Sequence, residues 1–419
     1  MTIAAHPLCD LSDPAFWAGS PATREAGFAR LREQDPVSWH RQPESTLGPT
    51  AEDAGFWAVT GWGDIRTVSR DPGRFCSGQG RLLDDIPPEL LDQFESIIAM
   101  DDPAHARLRR LVSSAFSPRT MRTLERRIAA DAQAVIDDLG EDRDGDFVDR
   151  VAKRLPMLTV LRMLGVTDDR DAELLAELTE GVVCYSDHEA LGGREPAEVM
   201  GQLLATIHEL AGTMARARRE RPAEDVMSAL VHAEVDGRRL QEGELVAFFT
   251  LLSIAGNDTT KQTTSIAMRT LCEHPDQRRT LQEELDGRID SAVEEFVRWA
   301  TPVAVQRRTA TREVELAGRR IGAGEKVALL LSSGNRDRAV FAEADRFDVG
   351  RDPNPHLGFG GGGPHYCMGA ALARVSLRAL FTCLLTRYPE IEVGEPRWVT
   401  SNNVNGILRM AMDTGPRRG

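Results

Sequence analysis

The chain has 419 residues, 41% of them hydrophobic, with a formal net charge of -14 at pH 7 and a sequence pI of about 5.2. Such an acidic balance argues against general affinity for nucleic acid or for an anionic membrane surface. Six scattered cysteines, Cys9, Cys76, Cys184, Cys272, Cys367 and Cys383, form no CxxC pair, so neither a zinc site nor a disulfide framework is indicated and a reducing cytoplasm is the expected location.

The N-terminal MTIAAHPLCDLSDP lacks a basic region followed by a long apolar stretch, and no window reaches the length of a membrane span, so no membrane anchor is expected. No linker, low-complexity tract or repeat divides the chain, and residues 1–419 are read as one unit. Phe56-Trp57-Ala58-Val59-Thr60 reads as a strand. A helix is predicted from Ser117-Pro118 to Leu139-Gly140, with a serine cap, a first-turn proline and a terminal glycine. Gln241 to Glu273 is the longest helical pattern, and its polar residues gather at the middle. After Ala300-Thr301-Pro302 the pattern turns to short strands at Val314-Glu315-Leu316, Arg319-Arg320-Ile321 and Lys326 to Leu331. A last long helix is predicted from Met368 toward Arg387.

Before that helix stands Phe359-Gly360-Gly361-Gly362-Gly363-Pro364-His365-Tyr366-Cys367-Met368-Gly369. A thiolate that ligates a metal must be kept ionised, and free cysteine titrates at about 8.5. The four glycines permit positive φ, let the backbone press against a planar cofactor, and leave amide groups to point at sulfur; the helix adds its positive end. The alternative is a glycine-rich surface turn beside a buried structural cysteine.

This segment resembles the haem-binding loop of the cytochrome P450 superfamily, whose pattern is Phe-Gly-x-Gly-x-His-x-Cys-x-Gly. Phe359 lies one residue further from Cys367 than the pattern has, so the run holds an extra glycine. Similar lengthened loops occur in the branch that resembles actinobacterial sterol and branched-lipid hydroxylases. The resemblance implies a mainly α fold with smaller β-sheets, in which haem b sits between a long central helix and the cysteine loop and its helix, with Cys367 as axial thiolate.

In the central helix, Ala255-Gly256-Asn257-Asp258-Thr259-Thr260 places polar groups where a buried helix should be apolar. Gly256 would let a cofactor approach, and the Asp258 and Thr259 pair resembles the family's acid and alcohol, which manage protons during dioxygen activation. The alternative is a threonine bonding back to the carbonyl four residues earlier, with Asp258 solvated. His105 and Arg109, four apart in Asp102-Pro103-Ala104-His105-Ala106-Arg107-Leu108-Arg109, share a helix face and could clamp carboxylates. The bland reading is a surface histidine. By resemblance, His105, Arg109, Arg308 and His365 would bind the haem propionates, 78–99 would form a lid over the substrate, and Glu295, Arg298 and Arg351 would form a structural ion-pair group.

Arg107, Arg109, Arg110, Arg119, Arg122, Arg126 and Arg127 form a basic cluster against the acidic average, readable as a docking patch or as a solvated helix face. The chain has no dinucleotide fingerprint of its own. The resemblance therefore implies external electron donors, a ferredoxin with its reductase or a flavodoxin-type donor, together with O2. The expected activity is hydroxylation of a hydrophobic small molecule of lipid, sterol, terpenoid or polyketide type. Epoxidation, ring coupling, peroxide-driven oxidation and a non-catalytic haem sensor are the alternatives.

Overall fold

The computed structural model describes residues 6–44, 55–84, 96–116, 118–140, 143–185, 187, 191, 193–235 and 237–417. Helices carry most of the chain, as expected, and the longest is Glu242–Glu273, the central helix. It opens on a capping box in which the Glu244 carboxylate accepts the Gln241 amide at 2.9 Å. Hydroxyl groups along it donate to carbonyls one turn back, Ser253 to Phe249 at 2.8 Å, Thr263 to Thr259 at 2.9 Å and Ser265 to Lys261 at 2.9 Å. This internal satisfaction is why so polar a helix can be buried on nearly every side.

The central helix packs against Arg154–Leu164, Pro196–Glu220, Leu285–Ala300 and Ala370–Arg387, and one large apolar cluster fills the space between them. Ala370–Arg387 also lies along Pro118–Asp137. A five-stranded sheet stands to one side, in the order Val37–Arg41, Gly55–Val59, Lys326–Leu330, Val305–Ala310 and Phe75–Cys76. Only the pairing of Gly55–Val59 with Lys326–Leu330 is parallel. A second sheet joins Glu392–Trp398, Ile407–Asp413 and Asp144–Asp146.

The helix predicted from residue 117 runs Pro118–Asp137, and Gly140, at φ 60°, lies in the turn that follows. The last helix begins at Ala370 with Gly369 as its cap, two residues later than expected, so Met368 and Gly369 belong to the turn. Of the expected lid, 78–84 and 96–99 are described and 85–95 lie outside the described residues. Among the described residues, no helix is long and apolar enough to cross a membrane.

Candidate haem-thiolate site

Cys367 closes a loop whose neck is tied by its own amide, which donates to the Phe359 carbonyl at 3.1 Å. Burial pushes the Cys367 thiol up, while the Gly369 and Ala370 amides and the Arg109 and Arg374 guanidinium groups pull it down. Those two amides open the Ala370–Arg387 helix, so the sulfur meets its positive end. The side chain keeps exposed surface although protein surrounds it; it faces a space rather than packing into the core.

The loop glycines act differently from the expectation. Gly360, Gly362 and Gly363 do take positive φ, at 96°, 92° and 77°. Yet a Cβ on Gly361 would lie 2.4 Å from Ser69 Oγ, and one on Gly363 would lie 2.3 Å from the Ser69 carbonyl. The glycines therefore let the loop press on the end of the Trp62–Ser69 helix, and the amide donors to sulfur come from beyond the cysteine. Phe359 is buried under the Arg374 guanidinium, 4.4 Å from the ring centroid. Glu294 accepts from Arg374 at 2.5 and 2.8 Å and meets His356 Nε2 at 2.9 Å. Burial works against the Glu294 charge, but these partners bring its pKa down to about 2.

Four basic side chains gather beside the loop. The His105 and His365 rings lie 4.3 Å apart, Arg308 is buried near them, and Arg109 donates to the Tyr366 carbonyl at 2.8 Å. His365 Nε2 is 3.1 Å from Ser77 Oγ. Burial, Arg308 and His105 together push the His365 pKa down to about 3, and burial takes Arg308 down to about 10. The nearby Asp101 carboxylate is engaged by the Ser77 and Gly78 amides at 2.7 and 2.9 Å. His105, 2% exposed, has an Nε2 atom without a hydrogen-bond partner. It is a buried residue, so the surface reading of this histidine does not hold.

On the central helix, Ala255 is exposed although Asn257, Asp258 and Thr260 are buried around it. Thr259 Oγ1 donates to the Ala255 carbonyl at 2.8 Å, as the structural alternative had it. Asp258 departs from that alternative, because it is only 4% exposed and pairs with Lys261 Nζ at 2.9 Å. Gly256 also has a packing role. A Cβ there would lie 2.9 Å from Val160 Cγ2, so its absence is accounted for by close packing of Arg154–Leu164.

Glu295 and Arg298 are fully buried and joined at 2.7 Å, with Arg351 Nε 3.2 Å from Glu295 Oε2. Of the basic cluster, Arg107 pairs with Glu244, whereas Arg122 and Arg126 are exposed; the Arg119 side chain lies outside the described residues. Sequence reasoning did not find the Glu294, His356 and Arg374 group or Lys261. The i,i+3 spacing of Asp258 and Lys261 was an available signal for the latter.

Among the described residues, no three His, Cys, Asp or Glu side chains cluster to cage a metal ion. A lone thiolate supplied with amide donors suits a metal that arrives with other ligands of its own. The unpartnered His105 nitrogen within a basic cluster suits carboxylates on the same group. These residues fit a haem, with its iron and its two propionates.

A model of the family described as Cytochrome P450 matches residues 197–408. The methyl-branched lipid omega-hydroxylase of Mycobacterium tuberculosis H37Rv is 37% identical over 407 residues, covering 96% of this chain and 94% of that protein. The steroid C26-monooxygenase of Rhodococcus jostii RHA1 is 34% identical over 410 residues, covering 96% and 84%. Among solved structures, Mycobacterium marinum cytochrome P450 CYP268A2 in complex with pseudoionone matches with a TM-score of 0.94 at 45% identity, covering 99% of this chain and all of that one.

Proposed function

This chain belongs to the cytochrome P450 family, and from that premise we propose that it hydroxylates a hydrophobic lipid, of the methyl-branched or steroid side-chain type, with Cys367 as the axial ligand of its haem. Membership makes it a haem-thiolate monooxygenase. When bound, the haem supplies dioxygen activation and insertion of one oxygen atom into a substrate C–H bond.

The observation that carries the assignment is the Cys367 sulfur at the positive end of Ala370–Arg387, supplied by the Gly369 and Ala370 amides. There the amide donors and the helix end favour the ionised sulfur against the burial that raises its pKa, and they restrict its direction. Arg109, Arg308, His105 and His365 would hold the propionates, and the His105 nitrogen gains there the partner it lacks among protein groups. Thr259 donates its hydroxyl hydrogen bond to the Ala255 carbonyl, which leaves its oxygen able to accept hydrogen bonds. Asp258, buried one residue earlier, is the group that carries protons inward from the protein. Gly256 serves helix packing in this reading and is not assigned to the cofactor.

Substrate class rests on the relatives' activities. Electrons come from a ferredoxin and its reductase, or a flavodoxin-type donor, at the face where Arg122 and Arg126 are exposed. The test is spectral and chemical. Reduced protein with carbon monoxide should give the far-shifted Soret band of thiolate ligation, and Cys367→Ser should lose it. With NADPH and a ferredoxin pair, isopalmitic acid or cholesterol should yield a hydroxylated product. A folded Cys367→Ser protein with unchanged spectra and turnover would overturn the assignment.

A further inference from the structure

The Asp258 carboxylate is held from two directions by its own helix. Lys261 Nζ lies 2.9 Å from Asp258 Oδ1, and Gln262 Nε2 donates to the same oxygen at 3.2 Å. Lys261 and Asp258 are both almost wholly buried. The amide of Gln262 is occupied at both ends, because its Oε1 accepts the Ile407 amide at 2.8 Å. Ile407 begins a strand just after the turn where Val404 bridges to Val303. The fit there is tight, since a Cβ on Gly406 would lie 2.7 to 2.9 Å from the Gln262 amide atoms.

We propose that Lys261 and Gln262 are positioning residues that hold the Asp258 carboxylate in one orientation for proton transfer, with Gln262 coupling that orientation to the 404–407 turn. The inference rests on the reading of Asp258 as a proton carrier. Both donors fall on Oδ1, so Oδ2 is the oxygen left for proton exchange. A buried lysine keeps its charge only beside anions. Burial opposes the Lys261 charge, yet the Asp258 and Glu180 carboxylates offset it and the lysine's pKa is raised. Glu180 comes from the Asp169–Val183 helix. The carboxylate is thus locked by a cation that stays charged across the working pH range.

The test compares Asp258→Asn, Lys261→Met, Lys261→Arg and Gly406→Ala holoenzymes with wild type, using isopalmitic acid and a ferredoxin pair. Two readouts are followed: product formed per NADPH as a function of pH, and hydrogen exchange at the Ile407 amide. Removing the lysine leaves a buried carboxylate with no countercharge, so its proton is held more tightly and the pH profile moves alkaline. Lys261→Met should lower product per NADPH at neutral pH by on the order of tenfold and move the profile by about one unit or more, with substrate KM unchanged. Lys261→Arg should restore both.

Gly406→Ala displaces the Gln262 amide from a distance, and should raise Ile407 exchange and lower product per NADPH even if Lys261→Met fails to fold. A drop in Asp258→Asn alongside wild-type profiles and exchange in Lys261→Met and Gly406→Ala would overturn the positioning role alone. Full product yield in Asp258→Asn would instead overturn the proton-carrier reading, and the inference with it.

Discussion

Arg298→Met tests the buried ion pair that holds the approach to the cysteine loop. Arg298 donates to Glu295 Oε2 and Oε1 at 2.7 Å each, and to the carbonyls of Asn335 at 2.7 Å, Ala344 at 2.9 Å and Arg346 at 3.1 Å. Methionine of similar reach removes the Arg298 donor from the Asn335 and Ala344 carbonyls, leaves the Arg346 carbonyl with Arg351 alone at 2.9 Å, and leaves Glu295 short of one cation. Glu295 still has Arg351, the Asp348 amide at 2.9 Å and Asn354 Nδ2 at 3.1 Å. The cost should therefore sit toward the lower end of the roughly 3–5 kcal/mol seen when one partner of a buried pair is removed. An unfolding entropy of about 2.1 cal/mol/K per residue converts this to a fall of roughly 3–6 °C in the midpoint for a chain of this size.

The damage should also reach the haem. Asn335 Oδ1 accepts the Leu357 amide at 2.6 Å, two residues before Phe359. Scanning calorimetry of the holoprotein at a fixed scan rate, with haem content measured in parallel, checks both effects. Glu295→Leu should cost more than Arg298→Met, because it leaves two guanidinium groups without their carboxylate. A midpoint within about 1 °C of wild type for Arg298→Met would refute the claim that this pair supports the fold.

Gly363→Ala combines positive φ with a 2.3 Å overlap on the Ser69 carbonyl, whereas a Cβ on Gly360, also at positive φ, meets nothing closer than 3.9 Å. The first should cost about 2–4 kcal/mol and the second about 1–2 kcal/mol, read as unfolding midpoints; equal costs would sink the proposed contact with the Trp62–Ser69 helix. His40 is buried, and burial pushes its pKa down to about 3. The unfolded chain binds a proton there below about pH 6.5, so the stability from neutral His40 is full above that pH and drains as pH falls toward about 3. His40→Asn should flatten the dependence of the midpoint on pH across that window. Thr259→Ala should keep NADPH consumption within about threefold while product per NADPH falls by about tenfold or more, measured by parallel cofactor and product assays. Retention of full product yield would remove Thr259 from proton handling.

The cysteine loop, Asp258 with Thr259, and Glu295 with Arg298 were singled out in the sequence because each is a local pattern that resembles a family motif, and the structure joins Glu295 and Arg298 in a buried pair. Helix periodicity placed Glu242–Glu273 within one residue of its observed start. A one-dimensional pattern could not say what each glycine makes room for. Gly256 clears Val160, and Gly361 and Gly363 clear Ser69, contacts between segments separated by tens to hundreds of residues. Steric need of that kind exists only once the helices have packed.

The same holds for charge. The sequence by itself determined that a thiolate loop, a polar central helix and a basic cluster exist. Tertiary structure alone decided which ions lose water, Asp258 among them, and which distant partners others then require: Glu294 with Arg374 and His356, and His105 with an unpartnered nitrogen. The reason is desolvation. A charge on an isolated helix is compensated by solvent, but once buried it must be matched by a neighbour that long-range folding brings to it.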